Sequence, residues 1–407
     1  MTSYRRLITG LFLIASLAGL GSGIAVSGAE PAKKAAEPVA GKSTAWLPGL
    51  ESQLKGAKIK LSQPVLVARR KGFLWFPTLT KLTNGDLMVT MSNYADEHTE
   101  TSTAYYTWST DGGLSWTTPI KNHYCEAPLT LSNGDILLLP YYLKGVAPSV
   151  MGGPYVLCPK GKQELVLKQG IRVSGWTKTD RSPDPKLNLS GFVFNGQSLK
   201  LKDGTYVATL YGNYKDSKRY DLVMAESPDG VNWKLRSTIA DEHCKVPGVE
   251  GPCESALCRL QDGRIMSVFR TASNVSFGQS FSSDEGKTWT TAVAMKDVFS
   301  VQPSLQTMPD GTIYISGGRP GMFLWRNGDK TGLEWEKVDV GANHNAFIKS
   351  EPIVNPGSNS SNYTEIIVQD DSHLLYVYDR IPNGWKAIPE KSSDTNSVWL
   401  VRVTIEK

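Results

Sequence analysis

The residues Ser109-Thr110-Asp111-Gly112-Gly113-Leu114-Ser115-Trp116, STDGGLSW, read as a tight turn closed by a tryptophan. An aspartate carboxylate in such a turn can accept backbone N–H groups. Glycine supplies a backbone conformation denied to other residues, and an indole fills the gap between neighbouring strands. The pattern returns along the chain. Residues 227–233, SPDGVNW, are one residue shorter, residues 282–289, SSDEGKTW, form a full copy, and residues 329–335, DKTGLEW, a worn one.

A second pattern recurs with it. TLTKLTNGDLMVTMS turns at Asn84-Gly85, APLTLSNGDILLLPYY at Asn133-Gly134 and GQSLKLKDGTYVATLYG at Asp203-Gly204. SALCRLQDGRIMSVFRT turns at Asp262-Gly263, PSLQTMPDGTIYISGGR at Asp310-Gly311, and TEIIVQDDSHLLYVYDR is a degenerate sixth near Asp371-Ser372. Asn-Gly and Asp-Gly between β-rich runs predict hairpins in which both turn residues take positive φ. The turns lie 48 to 70 residues apart, room for four short strands each time. That period is a propeller blade, so six hairpins predict an all-β, six-bladed propeller of four-stranded antiparallel blades. A stack of separate sandwiches would not space one hairpin type so evenly. Each tryptophan turn follows its hairpin at a distance that places it between the third and fourth strands. The segments AKIKLSQPVLVAR and SVWLVRVTIEK read as outer strands, one of which should complete the last blade.

Outside this region the chain reads differently. Arg5 and Arg6 precede an apolar run at 7–20, and Ser27-Gly28-Ala29 offers a cleavage site, so residues 1–29 read as a secretory signal. The run is short and glycine-rich for a membrane anchor, and the arginine pair weakly resembles a twin-arginine export signal. Residues 30–50, rich in Ala, Lys and Pro, read as a linker, and 51–407 as the propeller. The expected product is secreted or periplasmic, without stable membrane insertion. A formal charge of +5 over 407 residues gives no nucleic-acid footprint. The five cysteines are expected to be buried thiols with at most one bridge, and neither histidine spacing nor acidic loops suggest a metal or cofactor.

Three near-complete copies of Ser-x-Asp-(x)-Gly-x-x-Trp together with six hairpins make residues 58–405 resemble the sialidase superfamily, whose Asp-box this turn is. The resemblance implies a six-bladed propeller with its site in the central funnel. It implies an arginine cluster for a sugar carboxylate, a tyrosine nucleophile activated by a glutamate, an aspartate acid/base and retention of configuration. A phenol suits an anionic sugar because it does not repel the sugar's own carboxylate.

Funnel positions lie just before a hairpin's first strand and just after its second. Glu254 and Arg270 flank the hairpin of blade four, and the resemblance makes them the activating glutamate and a carboxylate-binding arginine. Without the resemblance they also fit a rim ion pair of little energetic weight. Tyr363 of blade six matches the nucleophile strand, or packs as a strand tyrosine. Asp379 falls where the family has an acid that braces an arginine. Arg319 of blade five fits a second carboxylate-binding arginine, or a turn arginine beside Pro320. Blade one departs from the pattern: Trp75-Phe76-Pro77 stands where Arg-Ile-Pro is usual, and Arg69 and Arg70 could substitute only through a rearranged loop. Trp75 and Phe76 suggest stacking on a neutral or differently charged sugar, unless one of them packs in the core. The acid/base falls among Asp96, Glu97, His98 and Glu100, with Asp96 first after its strand.

Two function classes follow. One is an exported exo-α-sialidase-like glycoside hydrolase acting on terminal, acidic sugars. The other is a non-catalytic propeller that binds glycan or protein, argued from the missing first arginine. A purely structural envelope protein is a third reading.

Overall fold

The computed structural model describes residues 45–93, 102–176, 192–214, 217–353, 363–382 and 395–407. All belong to the compact unit Ala35–Lys407. The signal-like segment 1–29 and the acid/base candidates Asp96, Glu97, His98 and Glu100 lie outside the described residues.

The ring has six blades, each opened by one of the hairpins read from the sequence. Blade one comprises Trp75–Lys81, Leu87–Ser92, Thr103–Ser109 and Ile120–His123. Blade two comprises Cys125–Thr130, Ile136–Pro140, Val150–Cys158 and Val166–Ser174. In blade three the inner strand is split into Phe192–Phe194 and Leu199–Lys200, both paired with Tyr206–Gly212, and Asp221–Ser227 and Asn232–Ala240 follow. Blade four is Ser255–Arg259, Ile265–Phe269, Ser276–Ser282 and Val293–Phe299. Blade five is Ser304–Thr307, Ile313–Gly317, Phe323–Asn327 and Glu336–Asp339. Five sheets hold the six blades because the outer strands of blades two and three pair in parallel, Val173 opposite Trp233.

Blade six closes the ring with both chain ends. Thr364–Asp370 and His373–Arg380 are followed by Thr395–Glu406 as the third strand. Two N-terminal strands, Ala57–Ser62 and Val65–Lys71, lie in line along its far side. The C-terminal segment is therefore buried between strands instead of lying at an outer edge. A further strand, Pro48–Leu54, flanks Ala57–Ser62 and begins inside the stretch read as linker.

The hairpins use a different turn from the one expected. Only the glycine takes positive φ, from 90° to 93° at Gly85, Gly134, Gly204, Gly263 and Gly311. The preceding Asn or Asp instead accepts the N–H two residues on, as in Asp86 N to Asn84 Oδ1 at 3.1 Å and Thr205 N to Asp203 Oδ1 at 2.9 Å. The side-chain bond adds to the turn's backbone bonds, Gly85 N to Leu82 O at 2.9 Å and Leu82 N to Asp86 O at 2.8 Å.

The tryptophan turns join third to fourth strands in blades one, three, four and five. Ser109 Oγ accepts Gly113 N–H at 2.8 Å, Asp111 Oδ1 accepts Ser115 N–H at 2.9 Å, and Trp116 Nε1 donates to Gly113 O at 3.1 Å. The worn copy keeps the arrangement with Asn327 in the serine's place, its Oδ1 accepting Gly332 N–H at 2.9 Å. Each indole packs against the preceding blade. Trp116 joins the cluster shared by blades six and one, Trp233 that of blades two and three, Trp289 that of three and four, and Trp335 that of four and five. The motif thus glues successive blades, beyond filling gaps within its own.

The described residues are almost entirely β. Among them one short helix, Val340–Phe347, follows blade five, capped by Asp339, whose carboxylate accepts Ala342 N–H at 2.7 Å. Among the described residues no helix is long and apolar enough to cross a membrane. All five cysteines are free thiols, four of them buried.

Candidate functional site

Inner strands deliver their ends to one mouth of the ring. Glu254 immediately precedes Ser255–Arg259, Arg270 follows Ile265–Phe269, and Tyr363 precedes Thr364–Asp370. The Tyr363 hydroxyl donates to Glu254 Oε1 at 2.7 Å. Arg270 Nη1 donates to Glu254 Oε2 at 2.9 Å and lies 3.4 Å from the Tyr363 hydroxyl. Arg319 carries its guanidinium 5.8 Å from the centre of the Tyr363 ring. Its Nη2 and that of Arg270 converge on Ser273 Oγ, at 3.4 and 3.3 Å. Residues from blades four, five and six, distant in sequence, therefore meet around one phenol.

Asp379 binds backbone at the mouth. It is 0% exposed, and its carboxylate accepts the backbone N–H of Phe76 at 2.9 Å and of Tyr363 at 3.1 Å. It ties the start of blade one to the start of blade six, and so fixes where Tyr363 stands. Arg69 and Arg70 are turned elsewhere: Arg69 pairs with Glu351 at 2.7 Å, and Arg70 lies over the Tyr105 ring.

Trp75 does not offer a stacking face to a ligand. It is 0% exposed and stacks on Phe73 and Phe76, at centroid distances of 4.6 and 4.1 Å. A register shift between Trp75 and Thr78 and a positive φ of 50° at Phe76 turn the strand start inward. Phe76, 9% exposed, then meets Tyr363 edge-on at 4.3 Å. An apolar cluster of Phe73, Trp75, Phe76, Val301, Tyr363 and Ile381 thus occupies the expected first-arginine site.

Four groups at the mouth were not singled out from the sequence. Gln302, before the first strand of blade five, gives its N–H to Glu254 Oε2 at 2.9 Å and its side-chain amide to Glu126 Oε1 at 2.8 Å. Glu126 stands at a bulge in Cys125–Thr130 and also accepts the Tyr124 hydroxyl at 2.7 Å. Both occupy positions that the funnel rule, applied to every blade, would have found. Glu250 comes from the loop between blades three and four and carried no such signal. It holds Arg270 Nη2 with both carboxylate oxygens at 2.9 Å. Tyr141, Tyr211 and Tyr220 also line the cavity, with the Tyr141 and Tyr211 hydroxyls 3.0 Å apart. The cavity, open to solvent at the mouth, is about 530 Å³.

The electrostatics follow from these contacts. Burial works to raise the Glu254 carboxyl, but the Arg270 charge, the Tyr363 hydroxyl and the Gln302 N–H outweigh it and hold it below the usual carboxylate range. Glu126 is equally buried and has no arginine beside it, so burial pushes it up to about 7. A carboxylate kept ionised against a phenol hydroxyl, with a guanidinium at both, can draw off a phenolic proton and stabilise the charge left behind. Among the described residues no group of side chains is arranged to hold a metal ion.

Comparison with known proteins agrees with the architecture. No curated protein sequence matches the chain. Among solved structures, a protein of unknown function from Dyadobacter fermentans aligns at 16% identity over 86% of this chain and 99% of its own, with a TM-score of 0.65. An α-L-arabinanase of Penicillium chrysogenum complexed with arabinobiose aligns at 13% identity over 83% and 97%, with a TM-score of 0.53. The NanB sialidase of Streptococcus pneumoniae, as a K499G mutant, aligns at 12% identity over 85% and 70%, with a TM-score of 0.56. At these identities the likeness is one of fold. The sequence model of the BNR repeat-like domain matches residues 170–374. With the repeated turns and the six-bladed ring, that match over half of the chain establishes that it belongs to the BNR repeat-like domain family.

Proposed function

We propose that this chain is an exported, retaining glycoside hydrolase with Tyr363 as nucleophile and Glu254 as its base. The hydrogen bond of 2.7 Å from the Tyr363 hydroxyl to Glu254, with Arg270 on both groups, carries this reading. As the phenolic oxygen attacks the anomeric carbon, Glu254 takes the proton and the leaving alcohol takes one from an acid. The covalent glycosyl–tyrosine is then released by water, and the configuration is retained. Asp96 is the proposed acid/base. Arg319, Ser273 and the three tyrosines line the same cavity as the phenol. Export rests on the N-terminal signal pattern.

The test is turnover of a panel of fluorogenic glycosides, sialosides and arabinofuranosides included, by the unsubstituted chain and by Tyr363→Phe. Turnover of one glycoside, lost in Tyr363→Phe, supports the reading. Turnover that survives in Tyr363→Phe discards the tyrosine nucleophile.

The apolar filling of the first-arginine site by Trp75 and Phe76 favours a second reading, a glycan-binding propeller without catalysis. Saturable glycan binding with no turnover anywhere in the panel would select it.

A further inference from the structure

We propose that Glu250 sets this site for an uncharged sugar, by occupying the face of Arg270 that would otherwise receive a sugar carboxylate. The inference rests on the reading of the cavity as a glycan site, with or without catalysis.

Both terminal nitrogens of Arg270 are already engaged by carboxylates. Glu254 Oε2 takes Nη1 at 2.9 Å, and Glu250 takes Nη2 with both oxygens at 2.9 Å. Glu250 thus makes the contact that an anionic ligand would make. A sugar carboxylate would have to displace it or bring a third negative charge to the same guanidinium, and like charges at this range are costly when water is excluded.

Glu250 is held firmly in this role. Its N–H donates to Thr271 O at 3.0 Å and its carbonyl accepts Tyr220 N–H at 2.8 Å. The next residue, Gly251, has φ of +87°, and a Cβ there would stand 2.7 Å from the Tyr220 backbone nitrogen. Only glycine lets the loop pass so close to Tyr220 while presenting Glu250 to Arg270.

The rest of the cavity agrees. Its charged lining among the described residues is Glu250, Glu254, Arg270 and Arg319, which sum to zero. The arginine expected at blade one is replaced by buried aromatic rings. Tyr141, Tyr211 and Tyr220 offer rings and hydroxyls to the same cavity, which suit the C–H faces and hydroxyl groups of a neutral sugar. The carboxylates and guanidinium side by side supply both acceptors and donors for sugar hydroxyls.

Binding measured by calorimetry, on Tyr363→Phe so that no ligand is consumed, tests this directly. The ligands are 3′-sialyllactose and the uncharged disaccharides arabinobiose, xylobiose and lactose. We expect at least one uncharged disaccharide to bind about tenfold or more tighter than 3′-sialyllactose. Adding Glu250→Gln should raise the affinity for 3′-sialyllactose about tenfold or more, because Arg270 Nη2 is released from its internal anion. Preference for 3′-sialyllactose with Glu250 in place, no gain on Glu250→Gln, or no binding of any disaccharide would each overturn the proposal. Neutral binding without turnover by the unsubstituted chain would defeat the hydrolase reading and leave this one standing.

Discussion

Asp379 accepts the backbone N–H of Tyr363 with Oδ1 at 3.1 Å, while its Oδ2 accepts that of Phe76 at 2.9 Å. One buried carboxylate thereby pins the two strand starts that meet at the phenol. Asp379→Ala should remove both hydrogen bonds and cost about 2–5 kcal/mol of stability. Asp379→Asn keeps one acceptor and should cost less. Urea unfolding of the two variants checks the order.

Tyr363→Phe should separate chemistry from fold. The ring keeps its edge contact with Phe76, so the stability loss is that of one hydrogen bond, about 1 kcal/mol. Activity should fall at least about a hundredfold, and Glu254→Gln should fall by about 10²–10⁴ as a lost general base. Initial rates and thermal unfolding of the same preparations provide both readouts.

Glu126 predicts a pH dependence of stability. Its carboxyl is pushed up to about 7 in the fold from an ordinary 4.5, so the folded chain holds a proton that the unfolded chain has released. Stability should therefore fall as pH rises from about 4.5 to about 7, by on the order of 3 kcal/mol, and then level off for this group. Glu126→Gln should remove that slope. Glu365, buried and pushed up to about 8, acts with the same sign in both proteins. Glu254, held low, acts the other way: its contribution is present above the ordinary range and lost as pH falls through its folded value. Denaturant unfolding at pH 5 and pH 7.5, with and without the substitution, isolates Glu126.

Gly113→Ala should damage the ring without touching the funnel. Gly113 has φ of +102°, and an added Cβ would stand 2.5 Å from Leu400 Cδ2 of blade six. Strain and overpacking together should cost about 1–3 kcal/mol. Turnover or ligand affinity at permissive temperature should stay unchanged, since the turn lies on the outer rim. A loss of activity at full folding would contradict that placement.

The blade count was legible because it rests on local chemistry. An Asn-Gly or Asp-Gly step commits a short segment to a hairpin whatever surrounds it, and six such steps spaced 48 to 70 residues apart set the ring. The turn type differs from the expected one because only the glycine takes positive φ while the Asn or Asp side chain adds a hydrogen bond, which the dipeptide alone does not reveal. The partners of the tryptophans were not legible either, since each belongs to the preceding blade.

The funnel was legible in part. Glu254, Arg270, Arg319 and Tyr363 follow from strand ends, because strand direction alone decides which mouth a residue reaches. Trp75 follows from the same rule, yet the fold stacks it out of reach between aromatic neighbours. Asp379 could be placed near the mouth, but not its partners. Glu250 arrives from a loop that has no periodicity, so nothing in its neighbourhood announced it.

By itself, then, the sequence determined the elements that depend on local backbone preference: the hairpins, the tryptophan turns and the order of blades. Only the tertiary structure decided what those strand ends touch. It brought Tyr363 within 2.7 Å of Glu254 across 109 residues of chain, closed the ring with both termini, and set Glu250 against Arg270. The physical reason is range. A turn is settled by a few neighbouring dihedrals, whereas a buried charge cluster is settled by which blades pack side by side.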